Sequence, residues 1–232
     1  MTGKVDAEEQ IYTPPLGFAA LTPLYDAAIA VFTREGKWRT HIISALSPKA
    51  GDLILDIGSG TGRLAEKIYR AEPQARYLGI DPDKAAAAIA RKRAAKNGST
   101  AKFCVRFFDG TEAIENTPPN KIVSSLVLHQ TPLTEKRRII QCAYDTLPVG
   151  GVFVLADYGL QNTALMRFMF RLSVQALDGF ENTQPNANGV LPELFEQSGF
   201  SGIAEIANVA TPTGSISILR ALKPETDRER GR

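Results

Sequence analysis

The 232-residue chain is poor in the residues that build stapled or metal-bound folds: it has two cysteines, two histidines and one tryptophan. Cys104 and Cys142 are too few for a disulfide framework, and neither lies at metal-ligand spacing. Both sit in apolar segments, which reads as buried free thiols in a reducing compartment and predicts a cytoplasmic protein without a metal site. No window approaches the ~20 uncharged apolar residues of a membrane span. The best attempt, Leu165 to Leu177, is short and holds Arg167 and Arg171. Residues 1–10 are polar and lack the apolar stretch of a secretory signal. An excess of either charge is missing too: 27 Lys and Arg against 25 Asp and Glu leave a net +2. That balance gives no reason to expect a nucleic-acid partner. Repeats and low-complexity linkers are absent.

The length suits one α/β domain with a small cap. Residues 1–49 read as an N-terminal helical cap. Leu24, Ala27, Ala28, Val31 and Phe32 fall at helical spacing after Pro23, Gly36 breaks the run, and Trp38 to Leu46 form a second helix stopping before Pro48. From Ala50 the grammar changes. Leu53 to Ile57 is a short apolar run ending in glycines, the pattern of a buried parallel strand. Further strands are expected at Arg76–Ile80, Lys102–Phe107, Lys121–Leu128 and Gly151–Ala156, with helices between them. That alternation predicts a Rossmann-like, doubly wound sheet, mostly parallel. Ile203–Val209 and Ser215–Ala221 are joined by Thr211-Pro212-Thr213-Gly214, so they form an antiparallel C-terminal hairpin. The domain spans residues 50–222, with a helical insertion at about 160–199. Residues 223–232 are mostly charged and read as a frayed tail.

The strongest local signal is Asp56-Ile57-Gly58-Ser59-Gly60-Thr61-Gly62, between a strand and a helix. Alternating glycines let backbone N–H groups and a ligand approach closely at this edge of a sheet. A dinucleotide fingerprint needs its third glycine where Arg63 stands, and a phosphate-cradling loop needs a Gly-Lys-Ser/Thr ending that is missing. An acid two residues before the first glycine, then glycine at every second position, resembles motif I of the class I S-adenosylmethionine-dependent methyltransferases. The resemblance implies that Asp56 helps hold the amino-acid part of S-adenosyl-L-methionine and that Gly58, Ser59, Gly60, Thr61 and Gly62 line it.

Further residues fit the same resemblance. Asp81, followed by Pro82, ends the second strand, where a carboxylate can accept both ribose hydroxyls or cap the next helix. Asp109-Gly110 follows the third strand, where the family often places an acid against the adenine; taken alone it is a turn signal. Ser125 and Leu126, within Ser124-Ser125-Leu126-Val127-Leu128-His129-Gln130, correspond to motif IV, and Gln130 replaces the second His that the ubiquinone/menaquinone-biosynthesis-type branch often carries. Leu147-Pro148-Val149-Gly150-Gly151 resembles the Leu-x-Pro-Gly-Gly turn, and Tyr25 sits in a Tyr-Asp segment similar to one near the start of that branch. The likeness runs from about Ala50 to Ala221. It also implies a seven-stranded sheet with the last strand beside strand five.

Methyl transfer from a sulfonium is an in-line displacement with a neutral leaving group, so alignment does most of the work. A base is needed only for a poorly nucleophilic acceptor. His129, at the carboxyl end of strand four, is the candidate base, a neutral imidazole able to take a hydroxyl proton; the alternative is a packing histidine. Asp157, ending strand five, is the second catalytic candidate or else a structural acceptor. Arg167, Arg171, Gln175 and Asp178 form one polar stripe in an otherwise apolar helix, which reads either as a buried helix or as one wall of an apolar acceptor pocket. The expected partner is therefore a small, apolar or aromatic methyl acceptor; homodimerisation stays open. Two rival readings are an NAD(P)-binding reductase and a cofactor-binding protein without transfer activity.

Overall fold

A computed structural model describes residues 34–111 and 117–225. The expected helix at residues 24–32 and Tyr25 lie outside the described residues. The chain runs α1 (Glu35–Leu46), β1 (Leu53–Ile57), α2 (Arg63–Ala71), β2 (Arg76–Ile80), α3 (Lys84–Lys96), β3 (Lys102–Cys104), β4 (Lys121–Ser125), α4 (Leu133–Thr146) and β5 (Val152–Tyr158). Then come α5 (Ala164–Phe170), α6 (Phe180–Ala187), α7 (Leu191–Gln197), β6 (Ser201–Thr211) and β7 (Gly214–Leu222). Seven strands form one sheet in the order β3-β2-β1-β4-β5-β7-β6. The first five are parallel; β7 pairs antiparallel with both β5 and β6. This is the expected arrangement, with the last strand inserted beside β5. It differs from the all-parallel order of dinucleotide-binding sheets and removes the reductase alternative's fold.

Every residue of β1 is buried, because helices cover both faces of the sheet. Alternation assigns the faces. Ile54 packs with Trp38, Leu64, Ile68 and Ala90 on the α1–α2–α3 side. Leu53, Leu55 and Ile57 pack with Ile139, Ile140, Leu194 and Phe195 on the α4–α7 side. The alanine run of α3 permits close approach: Ala86, Ala87, Ala90 and Ala94 form its buried face. Asp83 caps this helix, accepting from Ala85 N at 2.7 Å and Ala86 N at 3.2 Å.

Several boundaries differ from the sequence reading. Gly36 lies inside α1 and does not break the helix; a Cβ there would meet nothing within 4 Å. β3 stops at Cys104, and β4 stops at Ser125 because Leu126 turns into the left-handed region at φ 56°. Cys104 is exposed rather than buried. Lys223 is anchored, not frayed: its Nζ donates to Tyr144 O at 2.8 Å and Leu147 O at 2.7 Å. The insertion helix is not buried all round. After α5 the chain continues through a π turn (Arg171–Gln175) into a last turn (Ala176–Asp178). Phe170, Val174 and Gln175 face inward, while Leu165, Phe168 and Leu172 face out. No helix among the described residues is long and apolar enough to cross a membrane.

Candidate active site

The carboxyl ends of β1, β2, β4 and β5 meet along one edge, where the parallel register puts the acid–glycine turn beside β2 and β4. The three glycines have different jobs. A Cβ on Gly58 would lie 2.2 Å from Val127 Cγ2, and one on Gly62 would lie 2.9 Å from Ala90 Cβ. Both glycines are therefore demanded by packing. Gly60, at φ 51°, has no atom within 4 Å of that position, so it alone borders open space. Ser59 and Thr61 are buried, and Thr61 O accepts from Arg93 Nη1 at 2.7 Å, tying the turn to α3.

Asp56 points to the α1–α2–α3 side. Its Oδ2 accepts from the Tyr77 hydroxyl, while its Oδ1 is buried without a hydrogen-bond partner. Burial raises this carboxyl to about 7, against the Tyr77 hydrogen bond and the Arg39 charge, which pull it down, and Asp81, which adds to the rise. Arg39 is itself desolvated, which lowers its pKa, and its Nε lies 2.7 Å from Glu35 Oε1. Arg63 approaches Glu35 at 3.5 Å. This Glu35–Arg39–Arg63 group was not foreseen from the sequence. An amphipathic α1 conceals it, because its charges face inward beside Trp38, over whose ring Arg39 sits at 4.6 Å.

Asp81 bridges two backbones: Oδ2 accepts from Gly60 N at 2.8 Å and Oδ1 from Asp83 N at 2.8 Å. Burial raises its pKa, and those two N–H groups oppose the rise. The helix cap is Asp83, so the capping alternative for Asp81 falls away. Pro82 is half-buried in the same turn. Asp109 is exposed in the loop after β3 and accepts from Thr111 N at 3.0 Å and Thr111 Oγ1 at 2.6 Å. Gly110, at φ 84°, packs its loop on α4, where Thr146 Oγ1 donates to its carbonyl at 3.1 Å.

The end of β4 is built around Asp157. Its Oδ2 accepts from Val127 N (3.1 Å), Leu128 N (2.7 Å) and His129 N (3.2 Å), capping the short 3-10 turn Leu128–Gln130. Its Oδ1 accepts from Tyr158 N and from His129 Nδ1, both at 2.7 Å. The side chain is fully buried, so Asp157 positions the turn and has no lone pair facing a substrate. These contacts fit the structural-acceptor alternative for Asp157. Ser125 and Leu126 precede the turn, and Leu126 N donates to Ala156 O at 2.9 Å, fixing the left-handed residue.

His129 lies against the same carboxylate. It is buried, its ring meets Tyr158 edge-on at 5.0 Å, and its Nε2 lies 3.4 Å from Asp178 Oδ2. Burial opposes its charge, but Asp157 and Asp178 outweigh this and raise it to about 9. The two carboxylates thus favour the protonated ring, held at both nitrogens. Lys136, equally hidden, donates from Nζ to Leu128 O, Thr131 O and Asn182 O, joining the turn to α6. Burial lowers its pKa to about 8. Its role was invisible in the sequence because a lysine on an amphipathic helix reads as a solvated charge.

Comparison with known proteins agrees with this geometry. Residues 55–153 match the family described as a methyltransferase domain. An uncharacterized methyltransferase of Geobacillus kaustophilus is 27% identical over 198 residues, covering 80% of this chain and 84% of that protein. A demethylmenaquinone methyltransferase of Thermus thermophilus is 32% identical over 88 residues, covering 37% of this chain and 40% of that protein. Among solved structures, human N-acetylserotonin methyltransferase in complex with SAM has a TM-score of 0.61 at 14% identity, covering 89% of this chain. A Haemonchus contortus phosphoethanolamine N-methyltransferase has a TM-score of 0.62 at 16% identity, covering 82% of this chain. This chain spans 56% and 53% of the lengths of those two structures, which share its fold. The acid–glycine turn, the inserted antiparallel strand and these matches together support a class I S-adenosylmethionine-dependent methyltransferase.

Proposed function

We propose that the methyl acceptor is a small apolar or aromatic molecule, bound over the carboxyl ends of β4 and β5. One observation carries the reading: the aromatic run His129–Tyr158–Phe170 beneath the insertion, with ring centroids 5.0 and 5.2 Å apart. The charges beside it are spent on partners within the protein, His129 on two aspartates and Lys136 on carbonyls. Such surroundings, buried and with their charges neutralised, favour a flat lipophilic ring over a multiply charged substrate. The menaquinone-pathway name of one partial relative agrees with this class of acceptor.

The residues present fit the cofactor. Asp56 Oδ1 is a buried acceptor lacking a donor, which suits an α-ammonium group. The Arg39 guanidinium close by suits an α-carboxylate, with Glu35 as the partner it exchanges. Asp81 retains lone pairs for ribose hydroxyls, Gly60 leaves space, and Asp109 is the candidate for the adenine amino group. S-adenosylmethionine supplies an electrophilic methyl group on a sulfonium. The chain's own part is alignment: Asp157 holds the 3-10 turn, Asp178 and Asn182 hold the insertion to it, and the aromatic rings exclude water. No proton acceptor faces the site from His129 or Asp157, so the acceptor must arrive as a competent nucleophile or ionise by itself.

Formation of S-adenosylhomocysteine with a panel of lipophilic phenols and quinols, against small polar amines, tests the reading. Turnover confined to the lipophilic set is expected; turnover with polar amines alone overturns it.

A further inference from the structure

A cavity of about 400 Å³ lies between the C-terminal hairpin and the two stems of the insertion. The insertion leaves β5 through Gly159 and Leu160 and returns through Asn188 and Gly189, and all four residues line the cavity. The stems are tied to each other by Gln161 N, which donates to Ala187 O at 3.0 Å. Leu191, Pro192, Ile203 and Leu219 give the cavity an apolar floor, beside a Leu160 that is 52% exposed.

The sheet separates this cavity from the aromatic run of the candidate active site. On β7, Ile216 and Ile218 pack with Tyr158 and Phe170 on the α1–α2–α3 side. Ser217 and Leu219 alternate to the opposite face, and those two line the cavity. A bulge then brings polar groups to the same face. Glu205 and Asn208 are three apart on β6 and would point opposite ways in a regular strand. The register shifts between Glu205 and Ala207, so Glu205 stands opposite Leu219 and Asn208 opposite Ser217, both at the cavity. Asn208 orients the carboxylate: its Nδ2 donates to Glu205 Oε1 at 2.9 Å, and its own Oδ1 accepts from the Ser215 hydroxyl. Among the described residues no cation pairs with Glu205, and no lysine, arginine or histidine lines the cavity. An apolar hollow with a few convergent polar groups is the usual form of a small-molecule site.

We propose that this cavity is a second ligand site, for a small amphipathic amine whose ammonium group meets Glu205 and whose apolar body lies on Leu160, Ile203 and Leu219. A cation matches the uncompensated carboxylate; an anion meets repulsion with no countercharge, and a neutral alcohol keeps only the apolar contact. Such a ligand touches both stems and the hairpin at once, so its binding restrains the insertion. The insertion carries Asp178 and Asn182 to the turn after β4, which makes the cavity a place where a ligand off the reaction path acts on the methyl-transfer edge. The site does not rest on the acceptor reading.

Calorimetry on the full-length protein saturated with S-adenosylhomocysteine tests it. The probe is 4-phenylbutylamine, sized for a cavity with room for about a dozen non-hydrogen atoms at ~30 Å³ each. Saturable binding with a Kd on the order of a millimolar or tighter is expected. Glu205→Gln, at an exposed position, should weaken it about three- to tenfold, between an exposed ion pair and a charge-assisted hydrogen bond. Glu205→Lys should abolish it and make 4-phenylbutyrate the better ligand. 4-Phenylbutanol should bind wild type more weakly than the amine does, and Leu160→Asp should weaken the alcohol. In hydrogen exchange, the amine at ten times its Kd should slow amides 160–162 and 187–189 about tenfold and leave β1 unchanged. Absence of saturable binding, or equal amine affinity in wild type and Glu205→Lys, overturns the proposal. Slowed exchange at the turn after β4 with the stems unchanged also overturns it, by assigning the amine to the acceptor pocket. If the acceptor reading alone is wrong, the lipophilic panel shows no turnover while this binding pattern stands.

Discussion

Asp56→Asn should stabilise the cofactor-free protein while weakening its cofactor affinity. The carboxyl is 1% exposed and its midpoint moves from 3.8 to about 7. At about 1.36 kcal/mol per pH unit, the ionised folded chain carries a penalty of up to about 4 kcal/mol that a neutral amide avoids. The sign follows from linkage. A raised carboxyl binds its proton more tightly in the folded state, so wild type loses stability relative to the variant as pH climbs from 3.8 to about 7. The difference is constant above that range. Asn keeps an acceptor for Tyr77, so the gain is not offset there. Urea unfolding of both proteins from pH 5 to 8.5 should show a gap that widens with pH and levels near 7. Calorimetry with S-adenosylhomocysteine should show a loss of about 1.5–3 kcal/mol, the size of a charge-assisted hydrogen bond. Wild-type affinity should fall below pH 7, because ligand binding must then release the Asp56 proton. A gap independent of pH would refute the desolvation argument. Unchanged affinity would remove Asp56 from the ammonium site.

The glycine turn separates packing from ligand contact. Gly58→Ala should lower stability through the collision with Val127, and Val127→Ala should recover part of it in the double variant. Gly60→Val should cost about 1–2 kcal/mol for its left-handed backbone and a larger loss in S-adenosylhomocysteine affinity. Asp178→Asn should bring the His129 midpoint down from about 9, read by NMR titration of its ring protons. Since that pKa is raised on folding, its stabilisation is complete below 6.5 and fades as pH rises through 9, so the wild-type advantage should shrink over that window. Turnover should not rise through pH 6.5 as a neutral histidine base would require. Lys136→Met should destabilise by about 3 kcal/mol or more, since it strands several buried carbonyls.

Local patterns were enough for the strand–helix alternation, the C-terminal hairpin and the place of the candidate site. The wholly buried β1, the Asp56-to-Gly62 turn and Asp81 lie within a few residues of one another or at strand ends, so short-range periodicity and turn chemistry reveal them. Packing across the sheet decided the rest. Gly58 and Gly62 look like ligand residues until Val127 and Ala90 arrive from elements far along the chain. Asp157 and His129, which read as free catalytic groups, are joined across 28 residues, and Asp178 reaches the same ring from the insertion. A side chain's protonation and availability depend on which charges and N–H groups surround it. Those neighbours are chosen by long-range contacts that no local spacing encodes, so the site's location was legible and the state of its groups was not.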